Sequence, residues 1–356
     1  MNKMKTRLLG LMSRNEIPML WGAPGVGKTS FLKALAEEQE WECLIVPLAG
    51  KQPEEIQGYS VRKGANAIEP LLPYWAEIAI QNKGESLIFF DEFGSAFPET
   101  QGAALSILQE RRIGREVFPE RVHFVAAGNP PHQAAGGYLM SAPLANRLIH
   151  IDFQPNPKEW AQGMATNWNQ GFDNINDVRG YGLVATYVER FPNNLISVPE
   201  DETKASKGWP SPRTWEKVAV ELSLASENNY QLDVTDLSGS IGESYALEFL
   251  HWYRMNDIPS PLEVIEMGNK FQFPTQVSEQ DRFLAIITSV SSLIETDLEK
   301  YWEDGWKVIN NGLNIRGDLV WSKAQHLAII GREVGLEVPQ EVIPTLRKLI
   351  EASKIM

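Results

Sequence analysis

Apolar residues follow two different rhythms along this chain, and the change comes near residue 155. Before it, short apolar runs alternate with segments in which apolar positions recur every three to four residues. The runs Pro18–Trp21, 43–48, Ser86–Asp91, Val122–Ala127 and Leu148–Phe153 read as strands buried on both faces. Between them, residues 5–14, the stretch holding Phe31, Leu32 and Leu35, residues 73–80 with Tyr74, Trp75, Ile78 and Ala79, and Thr100–Glu110 with Ala104, Leu105, Ile107 and Leu108 read as helices. Ala142–Arg147 is a further short helix. This alternation predicts an α/β unit: a parallel sheet with helices on both faces. Two segments interrupt it. Residues 50–70 are rich in Gly, Pro and charge and predict a loop or small hairpin, and Arg112–Arg121, with Gly114 and Pro119, predicts a β-hairpin.

Beyond Pro155 no strong strand run occurs and helical periodicity dominates. Helices are predicted at 214–226, 243–253, 262–270, 280–298, 318–334 and 339–353, with a turn at 204–212 and a linker at Asp257–Pro261. Trp302, Trp306 and Trp321 form either a small core in the last helices or a docking surface. No internal repeat or low-complexity segment is present.

Composition narrows the classes. A chain of 356 residues suffices for two or three folded units, and 43% hydrophobic with 22% charged residues is a globular balance. The formal net charge of −13 disfavours non-specific capture by nucleic acid or anionic lipid. The lone cysteine, Cys43, lies in the apolar run Cys43–Val46, so no internal disulfide can form and a small core residue is expected. Lys3, Lys5 and Arg7 precede an apolar piece too short for a secretory leader, and no apolar run approaches a membrane span. These features point to a cytoplasmic protein.

The chemistry concentrates in a few places. Gly22-Ala23-Pro24-Gly25-Val26-Gly27-Lys28-Thr29, followed by Ser30, fits the phosphate-cradling pattern G-x-x-x-x-G-K-[ST] between a strand and a helix. A turn of this kind aims backbone N–H groups and a positive helix end at a polyphosphate, with Lys28 reaching the β- and γ-phosphates and the Thr29 hydroxyl on Mg²⁺. A Gly-rich turn can match by accident, but the run 86–91 ends in a second signal, Asp91-Glu92. Asp91 would lie beside the metal, and Glu92 would deprotonate or orient the attacking water. Asn129, in Ala126-Ala127-Gly128-Asn129-Pro130, either contacts the γ-phosphate and its water or is an ordinary turn residue. Arg147 ends one short helix and Arg213 starts another; each alone reads as a surface charge. His123, His132, His150, His251 and His326 show no metal-ligand spacing and read as structural or surface residues.

Taken in order, these motifs resemble the AAA+ ATPases, and within them the MoxR-like branch. The resemblance runs over residues 15–255. It takes in the Gly22 loop, Asp91-Glu92-Phe93, Pro98–Leu105, Gln109–Arg112, Ala127–Pro130, the Pro143–Arg147 stretch and the Trp209–Trp215 stretch. It implies a nucleotide-binding core at 1–155, a helical lid at 156–258 and, outside the general pattern, a helical extension at 259–356. It implies ATP and Mg²⁺, with Asn129 as first sensor, Arg147 as arginine finger in a neighbouring subunit's site and Arg213 as second sensor. Phe93-Gly94-Ser95 departs from the Ile-Asn-Arg of many relatives, and Arg111 and Arg112 also lie near the implied subunit boundary. A hexameric ring is implied, with segment 50–70 and the 112–122 hairpin at its pore. Tyr59 is either a pore residue or a packed loop aromatic. A protein substrate or adaptor, such as a von Willebrand factor A domain protein, is implied as partner. Two other functions stay open: a nucleotide-gated scaffold with negligible turnover, and a nucleic-acid-directed motor, which the acidic balance disfavours.

Overall fold

The computed structural model of the protein describes residues 2–63, 67–130, 133 and 137–353. The chain divides into two units, Met1–Pro155 and Asn156–Met356. The first contains helices α1 (Asn2–Met12), α2 (Lys28–Glu38), α3 (Pro53–Gln57), α4 (Tyr74–Gln81), α5 (Pro98–Glu110) and α6 (Ala142–Ala145). Its strands are β1 (Pro18–Trp21), β2 (Glu42–Pro47), β3 (Tyr59–Lys63), β4 (Ala67–Leu71), β5 (Ser86–Asp91), β6 (Arg112–Ile113), β7 (Glu116–Val117), β8 (Val122–Gly128) and β9 (Ile149–Asp152).

Five of these strands make one sheet in the order β2-β5-β8-β1-β9, and every pairing in it is parallel. The α/β expectation is therefore met. The register sets Leu20 beside Ala127 and Ile151, and Phe90 beside Val46 and Ala126. Strands β5 and β8 are buried almost throughout, which is why their sequences run apolar without alternation. One core cluster joins Met19, Ile88, Phe90, Phe124 and Ala126 of the sheet to Trp75, Ile107, Leu108 and Phe118. Trp75 meets Phe90 edge-on at 5.7 Å and Phe90 stacks on Phe124 at 6.3 Å. Each such fully buried side chain stabilises by roughly 1.5–3 kcal/mol.

Segment 50–70 contains α3 followed by the β3–β4 hairpin, which pairs Tyr59 with Leu71. β6 and β7 form the second hairpin. Gly114 at its tip sits so near Pro70 that a β-carbon there would lie 2.3 Å from the ring, so the two hairpins touch. Tyr59 is 57% exposed, not packed, and Val61, Leu71 and Val117 are exposed with it.

The second unit is helical: α7 (Pro157–Ala165), α8 (Ile175–Arg190), α9 (Glu202–Ala205), α10 (Pro212–Asn228), α11 (Val234–Ile241), α12 (Glu243–Met255), α13 (Pro261–Met267), α14 (Gln280–Thr296), α15 (Leu298–Glu333) and α16 (Ile343–Ser353). A single core runs from Trp160 to Val342, and helices on either side of residue 258 share it. Tyr187 of α8 sits among Trp215, Phe249 and Trp252, its hydroxyl bonded to Asn194 and Glu248. Burial pushes that phenol far above its ordinary range. Of the three late tryptophans, Trp302 and Trp306 are core and Trp321 is half-buried.

Several helices differ from expectation. The sequence pattern does not mark α7, α8 and α11 as separate elements. The segment expected as a turn from residue 204 begins inside α9, and α15 extends twenty residues ahead of its predicted start at 318. Its backbone breaks from helical geometry at Arg316 (φ −137°, ψ 67°). The periodicity that starts the predicted element belongs to the segment after this break. Among the described residues no helix is long and apolar enough to cross a membrane.

Candidate functional site

Strand β1 ends at Trp21, and the chain turns through the glycine loop into α2. Gly25 (φ +74°) and Gly27 (φ +94°) occupy the left-handed region, which glycine enters without steric cost. Gly27 is the N-cap of α2, and no side chain caps that helix. The N–H groups of its first turn therefore lack intrahelical acceptors, the arrangement that suits an anion. Lys28 is buried. Its ammonium donates to the carbonyls of Gly22 at 2.8 Å and Ala23 at 3.1 Å, and to Oδ1 of Asn129 at 2.9 Å.

The neighbouring strand end supplies the acids. Thr29 Oγ1 donates to Asp91 Oδ2 at 2.8 Å. The other carboxylate oxygen, Oδ1, accepts from the Glu92 N–H at 2.8 Å. Glu92 has φ +56°, a left-handed conformation that costs a non-glycine residue of order 1 kcal/mol or more. The Asp91 bond and the 3₁₀ turn Phe93–Ser95 that follows hold it there. Lys28, Thr29, Asp91, Glu92 and Asn129 thus gather over the carboxyl ends of β1, β5 and β8, where open parallel sheets bind ligands.

Arg147 does not join this group through any contact. It is exposed on the turn after α6, its N–H donating to Leu144 O at 3.1 Å, and its guanidinium has no ion-pair partner among the described residues. Arg213 belongs to the other unit, in the first turn of α10, whose Ser211 cap accepts from Thr214 N–H. Burial pushes the carboxyl of Glu216, three residues on, above its ordinary value, and Arg213 opposes that rise.

The structure separates the other two arginines. Arg111 ends α5 with its guanidinium turned inward. It donates to Pro119 O at 3.0 Å and Val122 O at 2.6 Å, and lies over the Phe124 ring at 5.2 Å. Burial lowers its pKa. Arg112 donates to Gly114 O within its own hairpin and is exposed. Arg111 is therefore committed to contacts within its own chain, and of the three arginines left open by the sequence it is the one whose guanidinium is turned inward.

Oxygen donors of a hydroxyl and one carboxylate suit Mg²⁺, which keeps several waters and takes substrate phosphate oxygens instead of an all-protein cage. No group of three or more His, Cys, Asp or Glu side chains able to hold a metal occurs among the described residues. His132 lies outside the described residues. His123 pairs with Glu85 and stacks on Trp41, and His326 pairs with Glu295. His150, which the sequence marks only as structural or surface, bonds Trp21, the residue immediately before the glycine loop.

Part of the first unit is similar to a known family. Residues 18–140 match the family model described as the ATPase family associated with various cellular activities (AAA). Similar solved structures include a point mutant of RuvB from Thermotoga maritima, at 12% identity over 75% of this chain and 74% of that one, with a TM-score of 0.40. A candidate ATPase from Cytophaga hutchinsonii is similar at 14% identity over 98% of this chain and 89% of that one, with a TM-score of 0.35. Likenesses this distant say nothing of what this chain acts on. No curated protein matches it.

Proposed function

We propose that this chain is an ATP-hydrolysing AAA+ ATPase of the MoxR-like kind, working as a ring that remodels a protein partner. The observation that supports it most is the convergence of three distant segments: Lys28 on Asn129 at 2.9 Å and Thr29 on Asp91 at 2.8 Å. Phosphoryl transfer asks a protein mainly for positioning and charge. Residues Gly22 to Ser30 hold the triphosphate, with the Lys28 ammonium on its β- and γ-phosphates. Thr29 and Asp91 hold Mg²⁺, which when bound neutralises phosphate charge. Glu92 orients and deprotonates the attacking water, and Asn129 contacts the γ-phosphate. Arg147, exposed and without an ion-pair partner among the described residues, serves a neighbouring subunit as finger, and Arg213 acts as second sensor. The exposed Tyr59, Val61, Leu71 and Val117 on the two touching hairpins offer an apolar surface to the partner. A von Willebrand factor A domain protein is one such partner.

The test compares the wild-type protein with Glu92→Gln. The variant should bind ATP and hydrolyse it ~10²–10⁴-fold more slowly, the usual worth of a general base. Lys28→Ala should lose nucleotide binding. Equal background rates in wild type and Glu92→Gln would mark a nucleotide-gated scaffold instead. A pull-down with ATP-locked Glu92→Gln identifies the partner.

A further inference from the structure

The last side chain before the glycine loop makes a connection that the roles above do not use. Trp21 Nε1–H donates to Nδ1 of His150 at 2.7 Å, and the two ring planes lie within 8° of parallel with centroids 5.9 Å apart. On its other side His150 Nε2 lies 2.9 Å from the carbonyl of Ala145. An indole N–H only donates and a carbonyl only accepts. The two partners therefore fix one tautomer: neutral imidazole, with Nδ1 bare and the proton on Nε2. Ala145 is the last residue of α6, and Arg147 stands two residues beyond it on the turn that α6 ends.

The same indole also touches the segments that carry the site. A β-carbon on Gly128 would lie 3.4 Å from its ring, and one on Gly94 would lie 3.7 Å away. Gly128 directly precedes Asn129, and Gly94 lies in the turn after Glu92. Gly22 N–H, the next residue's donor, bonds Gly128 O at 3.3 Å. One aromatic pair thus abuts the glycine loop, the Glu92 turn and the Asn129 strand end, and through a single imidazole proton it grips the turn that presents Arg147.

We propose that His150 is a positioning residue: it ties the Arg147 turn, through the Ala145 carbonyl, to Trp21 beneath the nucleotide site. Arg147 is then presented to the neighbouring subunit in one orientation. This inference rests on the reading that Arg147 completes a neighbour's site.

The test is a mixing experiment on the full-length protein. His150→Ala should lower kcat by about 10- to 100-fold, the penalty of a misplaced catalytic group, and leave KM for ATP within about twofold. His150→Gln, whose amide nitrogen can still donate to Ala145, should recover part of the turnover. It also guards against misfolding of the alanine variant. Lys28→Ala subunits carry an intact His150–Arg147 turn but cannot use their own nucleotide site, whereas His150→Ala subunits carry the reverse. Mixed together, they should turn over several-fold faster than the sum of the two alone. Arg147→Ala mixed with Lys28→Ala is the reference. The tie is overturned if His150→Ala keeps wild-type kcat. It is overturned equally if the Arg147→Ala mixture recovers and the His150→Ala mixture does not, because His150 then acts on its own subunit. If neither mixture recovers, the neighbour-completing role of Arg147 fails and the inference fails with it.

Discussion

At the scale of single residues, the arginines show how structure sorts what sequence leaves level. Arg111 and Arg112 are adjacent and chemically identical, yet only Arg111 is turned inward, onto two carbonyls and an aromatic face. Pro119 O also accepts from Val122 N–H at 3.0 Å, but removing a charged donor from partly buried carbonyls still costs about 1–3 kcal/mol. We expect Arg111→Ala to lose that much stability in urea denaturation while the folded fraction keeps its ATPase kcat. Arg112→Ala, whose one bond is exposed, should stay within ~0.5 kcal/mol of wild type. A fall in kcat with unchanged stability in Arg111→Ala would instead return Arg111 to the subunit boundary. The inward turn of Arg111 left no trace in the sequence because its partners are backbone carbonyls, which any residue supplies. That Lys28, Thr29 and Asp91 come together was legible for the opposite reason: the phosphate-loop pattern they were read from calls for particular side chains at fixed offsets from a strand end. Asn129 was half legible, since an Asn before Pro is also turn chemistry. The pairing of Trp21 with His150 spans 129 positions, and no local pattern encodes it.

At the scale of elements, periodicity succeeds where one face is wet and fails where none is. Helix α5 announced itself. Helix α8 did not, because Val178, Leu183, Val184, Ala185, Tyr187 and Val188 are all buried and Gly180 and Gly182 interrupt the apolar stripe. Those glycines are there for close approach: a β-carbon on Gly182 would lie 2.5 Å from Ser289 Oγ of α14. The second half of α15 packs on α14 through a titratable contact, His326 Nε2 to Glu295 Oε2 at 3.4 Å. The hydrogen bond to Glu295 raises the His326 pKa above its ordinary 6.5, while burial and Lys323 oppose the rise and Glu333 assists it. A raised folded-state value contributes stability in full below about pH 6.5, and that contribution is lost as pH rises through the folded value. The imidazole is 42% exposed, so solvent screening holds the effect below about 1 kcal/mol. Urea midpoints of the full-length protein should therefore fall slightly between pH 5.5 and pH 8, and His326→Asn should flatten that particular slope. An unchanged slope in His326→Asn would show that the contact contributes nothing measurable.

At the scale of the whole molecule, the governing fact is that the two units keep separate hydrophobic cores. The cluster around Phe90 and Trp75 lies wholly before residue 155, and the cluster around Tyr187 and Trp306 lies wholly after it. The sequence showed this division as a change of rhythm because a parallel sheet and a helical assembly bury surface with different periods. It hid the continuity within the second unit, where helices on both sides of residue 258 share one core, because contacts between distant helices have no period at all. Separate cores predict separate unfolding. Lys28, Thr29, Asp91, Glu92 and Asn129 all lie in the first unit, so ATP analogues and ADP should stabilise that unit first. At a free concentration 100 times Kd the gain is about 2.7 kcal/mol. For a unit of this size that corresponds to a rise of roughly 5–10 °C in its midpoint. Differential scanning calorimetry should accordingly resolve two transitions, and the one that nucleotide moves should stop responding in Lys28→Ala. The other transition is identified by Gly182→Ala, which disturbs the α8–α14 packing and should lower it alone. A single transition that nucleotide and Gly182→Ala both displace would mean that the two cores unfold as one cooperative body.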